Sequence, residues 1–308
     1  MDKSDIYTII VTYNGMKWIK KCVDSVLNSS IKTNIIVVDN GLTDSTIDFL
    51  QKEYNQIQVI KTEKNLGFGR ANNIGIKKAL TCHCEYILLL NQDAYLDKNA
   101  IDISLKAIEN EDNVGFISLL QLNGAGTYVD SGFLSCIGQD VTPDYFSDLV
   151  IGKRIKKTYD SSLGYAAAWI IPIETLRLVG GFNPLFCHYG EDTDYCHRVI
   201  YHGLRILFVP EAKVYHDRIG GQGNSKVYNN HYFFRKCLIN ALDVNVDWHF
   251  ISKYNYRLLL ESACLLFLLC NKYFTDWVLF CWYYLWNHKK IKFNRCMNKS
   301  LQAYKWLN

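Results

Sequence analysis

Short apolar runs alternate with amphipathic segments along the first half of the chain. The runs are apolar on consecutive residues, as is typical of strands covered on both faces of a sheet. They predict strands at residues 6–11, 34–38, 57–60, 86–90 and 114–119. The segments between them predict helices at residues 16–27, 43–54, 67–80 and 98–110. This alternation favours an α/β fold with a mostly parallel sheet and right-handed crossovers.

The pattern changes in the second half of the chain. Residues 124–162 are rich in Gly, Asp, Ser and Thr without clear periodicity, which indicates an irregular excursion with short strands. We then predict a strand at 165–171, helices starting at Ile173 and near Asp192, and strands at 206–209 and 214–216. From Asn224 onward the pattern is helical. We therefore expect an α/β domain in residues 1–223 and a helical C-terminal region in residues 224–308.

Composition narrows the class of protein. The 308 residues are 49% hydrophobic and 21% charged, which is typical of a globular chain. The net charge of +4 comes from the tail, because residues 239–308 carry nine Lys/Arg against four Asp/Glu. A nearly neutral body predicts no nucleic-acid partner. Eleven cysteines without a repeating spacing indicate reduced thiols, and no signal peptide precedes the first predicted strand, so we expect a cytoplasmic protein.

Polar residues follow each of the first four predicted strands. Thr12 follows the first, Asp39 the second, and Asn91 and Asp93 the fourth. The third leads into a glycine-rich run, residues 65–73, that opens a helix and offers N–H groups to phosphate. A dinucleotide-binding G-x-G-x-x-G does not fit this run, because its third glycine is replaced and it follows the third strand. Ligands bind beyond such strand ends, so these residues predict a rim suited to a nucleotide.

Five sequence blocks in this order carry a family resemblance. VTYNG, VVDNGLTD, NLGFGRANNIGI, LLNQDA and GGFNPLFCHYGEDTDYCHR resemble the inverting family-2 glycosyltransferases of the GT-A fold. Within them the chain looks most like the rhamnosyl- and galactofuranosyl-transferase branch that builds bacterial surface polysaccharides. The similarity covers about residues 6–221. It implies transfer of rhamnose, galactofuranose or a hexose from a UDP- or dTDP-sugar to a hydroxyl of a surface polysaccharide or lipid-linked glycan.

The resemblance implies a set of nucleotide-sugar contacts. Asp39 would accept the ring N–H of a uracil- or thymine-type base, although an Asp before Asn40-Gly41 is also a common turn cap. Tyr13 would stack on the base, and Arg70 would reach the diphosphate or the nucleotide. The positions carried over are Thr12, Tyr13, Asn14, Asp39, Asn65, Gly67, Arg70, Asn73 and Asn91.

A metal site is implied by the same resemblance. Asn91-Gln92-Asp93 stands where glycosyltransferases carry D-x-D, so only Asp93 offers an anionic oxygen to Mg²⁺ or Mn²⁺. His216 matches a position from which relatives supply an imidazole ligand, and a half-buried structural histidine is the alternative. One carboxylate implies an exchangeable metal that binds together with the diphosphate.

The run Glu191-Asp192-Thr193-Asp194 is the sharpest local feature. The family places the catalytic base at Asp192, whereas acidic residues at a helix start also complement the helix dipole. Glu191 and Trp169 would lie in the acceptor and sugar pocket, with a core position as the alternative for Trp169. Asp194 and Arg198 have the spacing of a helix-surface ion pair.

One position departs from the family's pattern. Asn183 stands where the family commonly has an acidic residue after the Gly-Gly-Phe segment. This departure predicts that the loop after the Gly-Gly-Phe segment differs in geometry from that of the family, but the sequence does not define the difference.

The C-terminal region raises the question of a membrane. Residues 258–270 and 277–286 are apolar but, as helices of about 20 and 15 Å, too short to cross a hydrocarbon core of about 30 Å. Aromatic residues between Trp277 and Trp286 precede a cationic run from His288 to Arg295, a pattern typical of a helix at a membrane interface. We expect a peripheral position on the inner face of the cell membrane. A helical cap packed on the catalytic domain, or on a second subunit of a homo-oligomer, is the alternative.

Two other classes of protein compete with a transferase. A non-catalytic glycan- or nucleotide-binding subunit of a membrane assembly complex would not need Asp93 and Asp192, and both are present. A sugar nucleotidyltransferase would carry a basic glycine-rich loop after the first strand, where this chain has Thr12-Tyr13-Asn14-Gly15.

Overall fold

The computed structural model describes residues 5–41, 44–218, 232–247 and 272–307. Its first half is built from parallel strands connected by helices, as the sequence predicts. The strands are β1 (Ile6–Thr12), β2 (Asn34–Asp39), β3 (Gln58–Lys61) and β4 (Tyr86–Asn91). The helices are α1 (Ile19–Leu27), α2 (Thr46–Glu53) and α3 (Phe68–Ala79). β1 lies between β2 and β4, and all of these pairs are parallel.

The second half adds antiparallel strands to the same sheet. Its elements are β5 (Ala94–Leu96), α4 (Ala100–Ala107), β6 (Val114–Asn123), a 3-10 helix (Phe133–Ile137), α5 (Pro143–Val150), β7 (Tyr159–Ser161), β8 (Ala168–Pro172), α6 (Ile173–Val179), α7 (Glu191–Tyr201) and β9 (Arg205–His216). The strand order is β3-β2-β1-β4-β8-β6-β9-β5, with β7 beside β9. β8 runs antiparallel to both β4 and β6, so the sheet is mixed.

β9 is one long strand where the sequence pattern predicts two short ones. Its pairing with β6 shifts between Leu119, opposite Val209, and Leu120, opposite Lys213. Pro210 lies in this irregularity, where a residue without an N–H donor disturbs the ladder least. The interruption that the sequence shows is therefore a shift within one strand.

Helices cover both faces of the sheet, which explains the strands' continuous hydrophobicity. One face packs against α1, α2 and α4, with Val23, Leu50 and Ile101 among its buried residues. The other face packs against α3, α6 and α7, through residues such as Ile76 and Val199. The carboxyl edge of the parallel strands stays uncovered by these helices and carries the polar residues.

Two described helices follow the sheet, α8 (Tyr232–Leu242) and α9 (Lys272–Lys299). They pack on each other and on the loop before α7, through Leu238 and Ile291 against Phe186. Within the described parts of the chain, no helix combines the length and the hydrophobicity that crossing a membrane requires. The predicted domain boundary at residue 223 and the apolar segment at 258–270 both lie outside the described residues.

Candidate active site

Three predicted site residues end neighbouring strands at the same level. Thr12 pairs with Asp39 across β1 and β2, and Val11 pairs with Asn91 across β1 and β4. Asp39 is buried, and its Oδ1 accepts a hydrogen bond of 3.0 Å from the Gly41 amide. The register of the sheet therefore brings Thr12, Asp39 and Asn91 together, and Asp39 also caps the turn that follows it.

Gln92 fastens the loop after β1 to the end of β4. Its Oε1 accepts hydrogen bonds from Thr12 Oγ1 at 2.7 Å and from the Tyr13 amide at 3.0 Å. Its Nε2 donates to the Tyr13 carbonyl at 3.1 Å. Tyr13 is left exposed, and Asn14 adopts a left-handed backbone with φ of 48°. Sequence reasoning missed Gln92, although its place inside the Asn-Gln-Asp motif was the available signal.

Asp93 and His216 meet at the tip of β4, although 123 positions of numbering separate them. β5 pairs with the end of β9 so that Ala94 lies opposite His216. As a result Asp93 Oδ1 lies 3.3 Å from His216 Nε2, and the imidazole is only 5% exposed. Close by in sequence, Asn91 Oδ1 is buried without a hydrogen-bond partner among the described atoms.

These donors fit a hard divalent cation. A carboxylate oxygen, an imidazole nitrogen and a nearby unpartnered amide oxygen are ligand types that Mg²⁺ and Mn²⁺ accept. The described residues contain no cluster of three or more His, Cys, Asp or Glu side chains that could hold a metal ion.

Arg218 extends the Asp93–His216 pair and was not predicted. Its Nε donates to His216 Nδ1 at 3.3 Å and forms an ion pair of 3.1 Å with Asp130 Oδ2. Asp130 is buried ahead of the 3-10 helix. The arrangement holds a permanent positive charge beside the imidazole.

Asp192 stands in the first turn of α7. α7 follows two left-handed residues, Tyr189 with φ of 62° and Gly190 with φ of 98°. Asp192 is half-buried, and its burial raises the pKa of the carboxyl group. Burial also raises the pKa of the Cys136 thiol to about 12, with the charge of Asp192 adding to that rise and Arg218 opposing it. Cys136 therefore lies within the electrostatic reach of both Asp192 and Arg218.

Glu191 is a buried acid beside Asp192. It is 5% exposed, and its Oε2 has no hydrogen-bond partner among the described atoms. Burial, and then the charge of Asp192, raise the pKa of Glu191 to about 8. Two adjacent carboxyl groups in such an environment do not ionise together easily, so the site holds a proton near neutral pH.

Replacing Glu191 with Gln is expected to stabilise the protein at pH 8. The ordinary pKa of 4.5 applies in the unfolded chain and about 8 in the folded one. Between these values the folded state binds more protons, so stability falls as the pH rises. Glu191→Gln removes this loss, which is on the order of 4 kcal/mol at pH 8. Thermal unfolding of both proteins at pH 5 and pH 8 tests this, and an equal fall in Tm for both contradicts it.

Trp169 does not line a pocket. It is 0% exposed, and its ring stacks on Phe116 with 4.1 Å between ring centroids. Phe182 and Tyr195 enclose it further. The prediction of sugar stacking is therefore wrong for Trp169, because the inward face of β8 places this side chain in the core.

The glycine-rich run is partly occupied by contacts within the protein. Asn65 Oδ1 accepts from Asn40 Nδ2 at 3.0 Å and from the Gly67 amide at 2.9 Å. Arg70 donates two hydrogen bonds to the Pro184 carbonyl, at 3.0 and 2.5 Å. The guanidinium group of Arg70 is therefore bound to the protein's own backbone, which differs from the predicted contact with a diphosphate. Gly67, with φ of 85°, immediately precedes α3.

Asn73 has a structural place instead of a nucleotide contact. Its Oδ1 accepts from the Phe182 amide at 2.8 Å, and its Nδ2 donates to the carbonyls of Phe182 and Trp306. The side chain is buried with both ends of its amide used. The expected contact with a nucleotide is contradicted for Asn73, because no polar group remains free.

Asp194 and Arg198 form the predicted ion pair, but it is internal. Arg198 Nε lies 2.9 Å from Asp194 Oδ2, and both side chains are buried. The expectation of a surface pair is wrong, since the C-terminal segment covers this face of α7.

Comparisons with solved structures identify the class of fold. S. aureus TarS, residues 1–349, in complex with UDP-GlcNAc matches 80% of this chain and 69% of its own, with a TM-score of 0.58 and 18% identity. GalNAc-T7 with UDP, GalNAc and Mn²⁺ matches 82% of this chain and 54% of its own, with a TM-score of 0.58 and 18% identity. The mixed sheet flanked by helices is therefore a GT-A fold.

Comparisons of sequence show which family part of the chain resembles. The family model described as glycosyl transferase family 2 matches residues 7–132. An uncharacterized glycosyltransferase of Rickettsia felis is 34% identical over 42% of this chain and 22% of its own length. The dTDP-rhamnosyl transferase RfbF of Shigella flexneri is 23% identical over 69% of each chain. The match to glycosyl transferase family 2 thus lies in residues 7–132, fewer than half of the 308 residues.

The first curated relatives are much longer proteins. The chain spans 22% of the Rickettsia felis protein and 14% of an Escherichia coli chondroitin synthase. Their similarity to this chain is therefore a similarity to one part of each protein.

Proposed function

We propose that this chain is an inverting glycosyltransferase. It moves rhamnose, galactofuranose or a hexose from a nucleoside diphosphate to a hydroxyl of a surface polysaccharide or lipid-linked glycan. The observation that supports this most is the meeting of Asp93 and His216, 3.3 Å apart, at the rim where β1, β2 and β4 end. The names of two relatives point the same way, a dTDP-rhamnosyl transferase and a β-N-acetylglucosaminyltransferase.

The rim would bind the nucleotide of a UDP- or dTDP-sugar. Asp39 would accept the N–H of the base, and the exposed Tyr13 would stack on its ring. Asn14 and Asn91 would complete the edge around it, and the buried Thr12 would support that edge through its hydrogen bond to Gln92. Gly67 would bring backbone N–H groups of the α3 start toward the phosphates.

Asp93 and His216 would hold the metal, Mg²⁺ or Mn²⁺. When bound there, a divalent cation supplies positive charge to the diphosphate that departs. The buried carbonyl oxygen of the Asn91 side chain lies close by in sequence. Arg218, which contacts His216, would add the positive charge of its guanidinium group to that of the metal. Two protein ligands leave coordination positions for the donor, so we expect metal and donor to bind together.

Asp192 would act as the general base. The acceptor hydroxyl oxygen forms a bond to the anomeric carbon while the bond from that carbon to the diphosphate oxygen breaks, and the hydroxyl proton passes to Asp192. Attack from the face opposite the leaving group inverts the anomeric centre. The raised pKa of Asp192 suits a group that must take a proton near neutral pH. Glu191 would hold the neighbouring proton at the acceptor side.

A donor panel tests the proposal. The protein is mixed with UDP- and dTDP-sugars, with and without Mn²⁺ or Mg²⁺, and thermal stabilisation and released nucleoside diphosphate are measured. We expect one donor to stabilise the protein more with metal and to release its nucleoside diphosphate. Stabilisation without any release, even with a glycan acceptor, would instead indicate a non-catalytic binding subunit. No stabilisation by any donor contradicts both.

We further propose that the chain consists of an α/β domain in residues 1–223 and a helical region in residues 224–308. The helical region would bind the cytoplasmic membrane surface through α9. Trp282, Leu285 and Trp286 are exposed on α9, and Trp286 is the most exposed of them at 79%. Phe293 continues this stripe at helical spacing, and exposed lysines flank it. Tyr283 and Tyr284 are different, because they pack partly buried toward α8 and the loop before α7. An exposed aromatic stripe beside cations suits anionic headgroups.

Removing two of these cations is expected to weaken membrane binding. Lys289 and Lys290 are exposed, and each lysine near an anionic surface contributes about 1 kcal/mol. Lys289→Gln with Lys290→Gln should therefore reduce binding to anionic vesicles at low salt about 30-fold. The matched control is Arg154→Gln with Lys157→Gln, which removes two exposed cations elsewhere. Equal losses in both double variants, or no binding by the unaltered chain, contradict a role for α9.

A further inference from the structure

The end of α9 meets the first turn of α7 in a buried polar network. Asp194 Oδ2 accepts from Arg198 Nε at 2.9 Å, and Asp194 Oδ1 accepts from Asn298 Nδ2 at 2.9 Å. Arg198 also donates to the carbonyls of Val179 and Gly181, at 2.7 and 2.9 Å. Arg198 and Asn298 are completely buried. Both oxygens of the Asp194 carboxylate are therefore satisfied, one of them by a residue more than a hundred positions away.

Lys305 fixes the segment that follows α9 against the same region. Its side chain is completely buried, and its Nζ lies 3.1 Å from His202 Nε2 and 3.4 Å from the Asn298 carbonyl. It also donates to the Ser300 carbonyl. Its own carbonyl accepts from the Gly181 amide at 2.8 Å. A buried ammonium group is costly unless several acceptors surround it, so this arrangement holds the segment in one conformation.

Asn183 links this network to the loop before α7. Its Nδ2 donates to Asn298 Oδ1 at 3.5 Å, and its Oδ1 accepts from the Leu185 amide at 3.0 Å. An ionised Asp in place of Asn183 has no donor for the first of these contacts. Position 183 is where the sequence departs from the pattern of the family it resembles. The Asn at this position thus has a hydrogen-bond partner in Asn298 that an ionised Asp would lack.

The geometry of α7 connects this network to Asp192. Successive residues of a helix are rotated by about 100°, so Asp192 and Asp194 point in directions about 200° apart. The hydrogen bonds from Arg198 and Asn298 to Asp194 fix the rotation of the first turn of α7 about its axis. They thereby fix the direction in which Asp192 points. Gly190 and Tyr189 immediately before the helix are left-handed, so the chain ahead of α7 has its own abrupt change of direction.

We propose that Asn298 and Lys305 are positioning residues that hold the first turn of α7 and direct the Asp192 carboxylate into the candidate active site. This inference rests on the proposed function, because it assumes that Asp192 acts on the acceptor. It assigns residues 298–305 to the support of the catalytic machinery, although they are far from it in sequence.

Asn298→Leu is the first test, since Leu has a similar volume and lacks the amide. We expect kcat to fall about 100-fold, as displacement of a reacting group by about 1 Å does. Donor affinity should stay within about twofold, because Asn298 does not touch the nucleotide rim. The acid limb of the kcat–pH profile should move to lower pH, because a loosened turn admits water to a carboxyl group whose burial raises its pKa. Asp192 acts on Glu191 and on the thiols of Cys136 and Cys196, while Arg235 on α8 and Asp194 on α7 act on Glu191.

Asn287→Leu is the matched control, because among the described residues its Nδ2 donates only to the Tyr283 carbonyl, one turn earlier in α9. It should leave kcat and the acid limb unchanged. An unchanged kcat in Asn298→Leu overturns the proposal. So does a fall in kcat that equals the loss of folded protein and leaves the acid limb in place.

Lys305→Met provides a second variant in case Asn298→Leu does not fold. It should show the same loss of kcat and the same displacement of the acid limb, and the outcomes that overturn the proposal are the same. Full transfer activity in Asp192→Asn would instead remove the proposed function, which separates the two failures.

Discussion

Asp192→Asn is expected to abolish sugar transfer while leaving donor binding nearly intact. The change keeps the size of the side chain and removes its ability to take a proton. A general base contributes about 10²–10⁴-fold in rate, so kcat should fall by about 10³-fold. Rates of nucleoside diphosphate release at saturating donor and acceptor measure the loss, and thermal stabilisation by the donor measures binding.

Asp112→Asn is the control, because Asp112 is an exposed aspartate outside the site. Its kcat should equal that of the unaltered chain. Transfer within a few-fold of normal in Asp192→Asn would exclude Asp192 as the base. Lost donor binding in that variant would instead indicate that Asp192 supports the nucleotide site.

Asp93→Ala is expected to remove the metal-dependent part of donor affinity. The side chain is the anionic member of the Asp93–His216 pair. Mutating a residue that hydrogen-bonds to a metal ligand typically lowers metal affinity about 10–100-fold. Removing the ligand itself should lower metal affinity by at least about 100-fold. Titration of the donor in the presence of Mn²⁺ should therefore show a dissociation constant raised about 100-fold.

The same titration without metal is the internal control. There, Asp93→Ala and the unaltered chain should bind the donor equally weakly, because the metal contribution is absent from both. His216→Ala should resemble Asp93→Ala, in smaller measure. An Asp93→Ala variant that still responds fully to Mn²⁺ would place the metal elsewhere.

Sequence periodicity was sufficient for the parallel half of the sheet. β1, β2 and β4 carry apolar residues on both faces and end in polar ones, so their places and the rim at their ends could be predicted. β5 could not, because three residues contain no period. Yet the pairing of β5 with β9 is what brings Asp93 to His216. Tertiary pairing of a short strand decides the geometry of the candidate metal site.

Side-chain contacts over long distances in sequence were the other missing information. Trp169 and Asn73 have the residue types of ligand contacts, but packing against Phe116 and Phe182 makes both internal. Arg218 and Gln92 lie beside predicted residues and were passed over, because their roles follow from contacts with Asp130 and Thr12, which are distant in sequence. Residue type and spacing indicate chemistry, whereas burial decides which of the candidates can meet a ligand.

The late position of Asn298 and Lys305 in the chain has a consequence for biosynthesis. A ribosome releases the strands and α7 long before it releases these residues, so the nascent protein carries Asp194 without its partner Asn298. Leu307, which packs beneath α3 and α6, arrives later still. Contacts between residues so far apart in sequence form slowly. Until they form, the surface of α7 that residues 298–307 cover stays exposed in the nascent chain. The contacts of Asn298 and Lys305 with α7 and its flank are accordingly among the last that can form during synthesis.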